Sequence, residues 1–227
     1  MRYRRRLWKP FVDSINAWLC DEWQPCAEEL LIFGVSAGWT LEERFLSRFK
    51  RIVAVEPDPV ARAALRVRFP RLNFEMISRE DLLPWLSASP EVFSGFLAQY
   101  PKAAVLFSNV LGQIRLLQKT AFCEEAEARR RFFLALGGRE WASYHDLLSS
   151  THEVKSHEST KFKGVFQLEE LANRFFPAQT GHKQDVVVID HDTSWLLKDR
   201  EWRSLVWRLR PRQTHLIACV SQQVGQS

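Results

Sequence analysis

The run Leu30-Leu31-Ile32-Phe33-Gly34-Val35-Ser36-Ala37-Gly38, followed by Arg51-Ile52-Val53-Ala54-Val55-Glu56, decides how this chain is read. An uninterrupted apolar run of strand length that ends at a glycine is the pattern of a strand covered on both faces by helices. Thr40-Leu41-Glu42-Glu43 then reads as a capping box opening a helix with Leu41, Phe45 and Phe49 on one face. Arg51 to Val55 repeats the strand pattern. Asp58-Pro59 supplies an N-cap and a first-turn proline for a helix that closes near Phe69-Pro70. Strand and helix alternating in this way imply a parallel sheet with right-handed crossovers.

The flanking sequence extends the alternation. Upstream, Phe11, Ile15, Trp18 and Leu19 recur at helical spacing after Pro10. Downstream, strands are expected at Asn73 to Ile77, Ala103 to Phe107 and Trp141 to Tyr144, with closing strands at Val186 to Ile189 and Leu216 to Val220. Helices are expected at Asp81 to Leu86, from Ser89-Pro90 to Tyr100, from Leu116 to Leu136 before Gly137-Gly138, and at Leu168 to Phe176. Ser149 to Lys163 reads as a polar loop, and Arg208 to Arg212 as a solvated turn before the last strand. Trp18, Trp23, Trp195, Trp202 and Trp207 fall in amphipathic segments and read as core or helix-packing residues. The expected architecture is one α/β domain over residues 10–227, a mostly parallel central sheet flanked by helices. An N-terminal helix precedes the sheet, and residues 1–9 form a basic arm.

At 227 residues, with 46% hydrophobic and 26% charged side chains, the chain can bury a substantial core and is not of disordered composition. No apolar run approaches the roughly 20 residues that span a bilayer, so no membrane segment is expected. The basic start is followed by Asp13, Ser14 and Asn16 rather than by an apolar segment, which reads as uncleaved and cytoplasmic. Cys20, Cys26, Cys123 and Cys219 form no Cys-x-x-Cys pair and have no histidine at ligand spacing, so no metal site is expected. The net charge of +5 is matched by Arg2, Arg4, Arg5, Arg6 and Lys9. That arm offers a nucleic-acid contact through counterion release, the other reading being a solvated tail.

In open α/β sheets ligands bind beyond the carboxyl ends of the strands. Gly34 to Gly38 gives a small-residue turn there that lets a ligand approach the backbone. Glu56 at the next strand end can accept both hydroxyl hydrogen bonds of a ribose. The turn also fits the Gly-x-Ser-x-Gly elbow of α/β-hydrolases, with His191 or His215 downstream, but no earlier strand stands ready to carry an oxyanion loop. A nicotinamide fold needs a third glycine where this chain has Trp39.

Over nearly its whole length the chain resembles the class I S-adenosylmethionine-dependent methyltransferases. Leu30 to Gly38 is similar to their first motif, Val53 to Asp58 to their second, and Ser108-Asn109-Val110-Leu111 to their fourth. The resemblance implies a Rossmann-like methyltransferase fold and S-adenosylmethionine as cofactor. Gly34, Ser36, Gly38, Glu56 and Ser108 would hold that cofactor, with Asp81 near its adenine. Ile32 stands where the family carries an acid, Ser36 where it has its middle glycine, and the Asn-Pro-Pro-Tyr signature is absent. Asn109, His145 and Asp146, after the fourth and fifth strands, are the candidate catalytic residues. His145 is read as a proton acceptor or else as a hydrogen-bonded structural histidine. Trp39 and Trp85 are candidate pocket walls. The expected function is methyl transfer to an unidentified acceptor. The alternative is a non-catalytic methyltransferase-like domain that binds a nucleotide or a protein partner.

Overall fold

The computed structural model describes residues 4–79, 90–113, 125–151, 154, 159–164, 166–176 and 188–223. Strands β1 (Glu29–Phe33), β2 (Arg51–Val55), β3 (Phe74–Ile77), β4 (Ala103–Ser108) and β5 (Trp141–Ser150) pair in parallel in the order β3-β2-β1-β4-β5. Beyond β5 the sheet turns antiparallel. β9 (Gln213–Gln222) lies against β5 and β8 (Glu201–Arg210) against β9, so β8 again runs in the direction of β1 to β5. β6 (Thr160–Lys163) borders β8, and β7 (Val188–Asp190) pairs with the last residues of β5 beyond the end of β4.

Alternate residues of the central strands feed two cores, one on each face. Leu31, Phe33, Val53, Val105 and Phe107 pack with α4 (Pro90–Leu97), α5 (Glu125–Leu136) and α6 (Leu168–Phe175). Leu30, Ile32, Ile52, Ala104 and Leu106 pack with α1 (Lys9–Ala17), α2 (Glu43–Leu46) and α3 (Pro59–Arg68). Burial on both faces is why these strands are continuous apolar runs. π-helical turns at Arg4–Trp8 and Trp18–Glu22 extend α1 at both ends, and its Phe11, Ile15, Trp18 and Leu19 are buried as their spacing implies. The Asp58 carboxylate accepts the Val60 N–H at 2.8 Å and caps α3.

Three local expectations differ. The capping box at Thr40 does not form: α2 starts at Glu43, and the Thr40 hydroxyl bonds to the Tyr144 hydroxyl at 2.6 Å instead. β5 runs on to Ser150 because β7 and β9 take up the hydrogen bonds that β4 no longer supplies, and the expected polar loop contains β6. The segment carrying Trp202 and Trp207, for which no strand was expected, is strand β8, while both tryptophans are core residues in keeping with their reading as core or helix-packing residues. Helices on both faces blur its alternation, and Trp202, Ser204, Leu205 and Trp207 are all buried. The region expected as helix at Asp81 to Leu86, with Asp81 and Trp85, and residues 114–124 of the Leu116 to Leu136 helix lie outside the described residues. Among the described residues no helix is long and apolar enough to cross a membrane.

Candidate functional site

The turn after β1 is shaped by close packing. Gly34 has φ +72°, and a Cβ there would lie 2.8 Å from the Val110 Cβ, so only glycine lets the β1 and β4 ends approach this closely. Ser36 follows in the left-handed region at φ 51°, and Asn109 at the β4 end is there too, at φ 53°. Non-glycine residues in this conformation mark positions that the surrounding structure over-determines, and they cluster at ligand sites. The Glu56 carboxylate holds the turn: Oε2 accepts the Ser36 N–H at 2.6 Å and Oε1 the Asp58 N–H at 3.1 Å. A carboxylate has about four acceptor sites, so two remain for a ligand.

These residues line a cavity of about 340 Å³, within the range of small-molecule sites. Gly34, Ser36 and Glu56 form one side and Ser108, Asn109 and Gln113 the other. Trp8, Trp39 and Trp207 wall it. Asn16 steadies the Thr40 end, donating to the Thr40 carbonyl at 2.9 Å and accepting the Glu42 N–H at 3.0 Å. Behind the cavity, the Tyr144 hydroxyl sits between Thr40 and the Ser108 hydroxyl. Burial pushes the Tyr144 hydroxyl up to about 12 against the lowering effect of those two bonds, so it stays protonated. A larger cavity, about 770 Å³, opens at the opposite edge of the sheet, where Glu22 pairs with Lys161 at 3.1 Å and Arg203 at 2.6 Å. It holds none of the strand-end residues and none of the left-handed turns just described.

Gly34, Ser36, Glu56, Ser108 and Asn109 thus meet at one cavity. Gly38 turns away from it: a Cβ there would lie 2.7 Å from Leu65 and Phe69 of the α3 region, so its glycine serves packing. Asp81 lies outside the described residues. His145 does not take the place expected of a proton acceptor. Its ring is fully buried within β5, Nδ1 pairs with the Ser143 hydroxyl at 2.8 Å, Nε2 has no partner among the described residues, and burial lowers its pKa to about 3. Alternation explains this, because His145 projects to the sheet face opposite Asp146. Asp146 adjoins the site through its backbone, its N–H donating to the Asn109 amide oxygen at 3.1 Å, and its carboxylate bonds His215 Nδ1 at 2.7 Å.

Sequence reasoning missed Trp8 and Trp207, which meet edge to face at 5.4 Å, and the buried His191 and His215 beside Asp146. No period-two signal announced Trp207, because Trp202-Arg203-Ser204-Leu205 does not alternate. None existed for the histidines, since Asp146 and His215 are 69 positions apart.

No protein-family model matches this sequence, and no curated protein is similar to it in sequence. Among solved structures, the chain is similar to the N-methyltransferase NodS of Bradyrhizobium japonicum WM9, at 12% identity over 94% of this chain and 97% of that one, with a TM-score of 0.46. It is similar to the magnesium protoporphyrin IX methyltransferase ChlM of Synechocystis PCC 6803, at 11% identity over 93% and 78%, with a TM-score of 0.42. A Zn-dependent alcohol dehydrogenase of Rhodobacter sphaeroides matches at 14% identity over 60% of this chain and 47% of its own length, so the chain spans about half of that protein, with a TM-score of 0.37. All three likenesses are loose, and the fold rests on the strand order. The order β3-β2-β1-β4-β5 continued by a reversed β9 beside β5, with helices on both faces, defines a Rossmann-like methyltransferase fold.

Proposed function

We propose that the cavity bounded by Gly34, Ser36, Glu56, Ser108 and Asn109 binds S-adenosylmethionine and that the chain is a methyltransferase for an acceptor entering between Asn109 and Trp207. The observation that carries this reading is the Glu56 carboxylate. It grips the Ser36 N–H, lines the cavity and keeps acceptor sites free for ribose hydroxyls. The Gly34 turn supports the reading, because the missing Cβ lets the β1 and β4 ends close together, so that Ser36 and Ser108 line the same cavity. When bound, the cofactor supplies an electrophilic methyl group. Transfer then needs an acceptor atom held in line at about 3–3.5 Å. The Asn109 amide oxygen is committed to the Asp146 N–H, which turns its NH₂ group into the donor that would orient an acceptor. Calorimetry against S-adenosylmethionine and S-adenosylhomocysteine tests this directly. Saturable one-to-one binding that weakens in Glu56→Ala supports it, and absence of binding to the folded protein rejects it.

One observation favours the alternative of a nucleoside-binding domain without transfer: Ile32, fully buried, stands where the family's acid grips the amino acid end. In that case adenosine should bind as tightly as S-adenosylmethionine, whereas a methyltransferase should prefer the whole cofactor.

A further inference from the structure

Asp146, His191 and His215 converge from β5, the end of β7 and β9, and their ligating atoms all lie within 4.8 Å of one another. The way this fold treats its other buried carboxylates shows what is unusual here. Glu140 and Glu56, each 7% exposed, both spread their charge over peptide N–H groups: Glu140 accepts Cys26 and Ala27 at 3.0 and 3.1 Å, Glu56 accepts Ser36 and Asp58. Asp146 is more buried, at 4%, yet among the described residues its carboxylate receives only His215 Nδ1 and no lysine or arginine. A buried carboxylate without compensating charge is costly, and a cation answers that need.

The histidines are set up to supply the remaining ligands. His191 Nδ1 lies 3.2 Å from the Gly112 carbonyl, which only accepts, so that nitrogen carries the proton and Nε2 accepts from the Ser149 hydroxyl at 3.0 Å, a bond that a metal ion would replace. A ring whose tautomer is fixed by a backbone carbonyl is the arrangement of metal-binding histidines. The backbone around them is interlocked. The His191 N–H donates to the Leu147 carbonyl at 3.1 Å and the Thr193 hydroxyl to the Asp146 carbonyl at 3.0 Å. Asp192 is left-handed at φ 53°, and a Cβ on Gly112 would lie 2.8 Å from the Asp146 carbonyl oxygen.

We infer that Asp146, His191 and His215 form a binding site for a divalent transition-metal ion of the zinc class. Two imidazoles and one carboxylate suit such an ion better than magnesium or calcium, which prefer oxygen. In a tetrahedral site with bond lengths of about 2.0–2.2 Å two ligand atoms lie about 3.3–3.6 Å apart, so side-chain shifts of up to about 1.5 Å complete the site, closing the widest pair and opening the His215–Asp146 pair from 2.7 Å. The ion takes the place of the proton between His215 Nδ1 and Asp146. That proton passes to His215 Nε2, from which the Gln213 NH₂ group, now 3.2 Å away, must move aside while its oxygen keeps the Arg210 guanidinium.

The test uses the full chain stripped with a chelator and titrated with Co²⁺ alone, following its visible absorption, with melting temperature recorded in parallel. One Co²⁺ per chain, a rise in melting temperature, and affinity about 100-fold weaker in Asp146→Asn are expected. The substituted amide keeps the carboxylate's shape and still accepts from His215, so that variant stays folded; His191→Gln provides a second test and should weaken binding similarly. A wild-type chain that binds no Co²⁺ saturably, or variants that fold and bind it as tightly as wild type, overturns the site. S-adenosylmethionine binding, measured on the same preparations, reports separately on the neighbouring cavity.

Discussion

Glu140 and Glu56 sit at opposite edges of the sheet and are equally buried, and each accepts two peptide N–H groups, yet only Glu56 faces the glycine-turn cavity. Glu140 precedes β5 and ties down the segment that enters β1, so its charge is wholly absorbed by the fold. Glu56 follows β2 and ties down the turn that leaves β1, in a place where a ligand can share its oxygens. The same bonding device is a staple at one edge and part of a cavity wall at the other. What separates them is their place along the strands: Glu56 stands at a carboxyl end beside left-handed turns and the small cavity, whereas Glu140 stands at an amino end and bonds the chain entering β1.

The largest effect should therefore appear at the amino edge. Glu140→Ala removes the charged acceptor of the Cys26 and Ala27 N–H groups, two half-buried hydrogen bonds, and should cost about 3 kcal/mol in urea unfolding, with cofactor affinity of the folded protein unchanged. If affinity fell in step with stability, the two edges would not be independent. Glu56→Ala should do the reverse. Cofactor affinity measured by calorimetry should fall about 10- to 100-fold, corresponding to about 1.5–3 kcal/mol, while stability changes less because water in the cavity can serve the Ser36 N–H. Tyr144→Phe removes the hydroxyl between Thr40 and Ser108 and should lower stability by about 1–2 kcal/mol. A variant as stable as wild type would show that this bridge does not brace the cavity. Ser36→Gly should raise the melting point slightly, by up to about 1 kcal/mol of stability, since glycine adopts φ 51° without strain. The smallest change is chemical. Exposed Cys26 should be alkylated in the native protein, whereas Cys219, buried and pushed well above its ordinary value by that burial, should react only after unfolding.

The parallel half of the molecule was legible because its signals are local. Strand runs such as Arg51 to Val55, the Asp58-Pro59 helix start and the acid at Glu56 each declare themselves within a few residues. The antiparallel half was not. In β8 the alternation is overwritten by packing against α1, where Phe11 stacks on Trp207 at 4.8 Å, so the tryptophans read as core or helix-packing residues and the strand that carries them went unplaced. At the candidate site, Gly34, Ser36, Glu56, Ser108 and Asn109 could be placed by counting to strand ends. His145 could not, because one residue decides which face of a strand a side chain takes, and the face with the cavity belongs to Asp146. The Asp146, His191 and His215 cluster depends on pairing between distant segments and left no trace in residue spacing.

The helix that begins at Arg4 has a consequence for the order in which the molecule is completed. Its Trp8 donates to the Leu209 carbonyl at 2.8 Å, and the Glu22 carbonyl accepts from Gln223 at 2.6 Å, contacts spanning 201 positions in each case. Contacts of such separation carry the full entropy of closing a long loop and form late. On a ribosome the glycine turn and Glu56 emerge early, but the aromatic wall that Trp8 and Trp207 build stays open until β8 has been synthesised and captured by the opening helix. A nascent chain would thus carry the Gly34, Ser36 and Glu56 side of its cavity well before it could enclose anything there, so enclosure of the cavity and completion of the fold coincide.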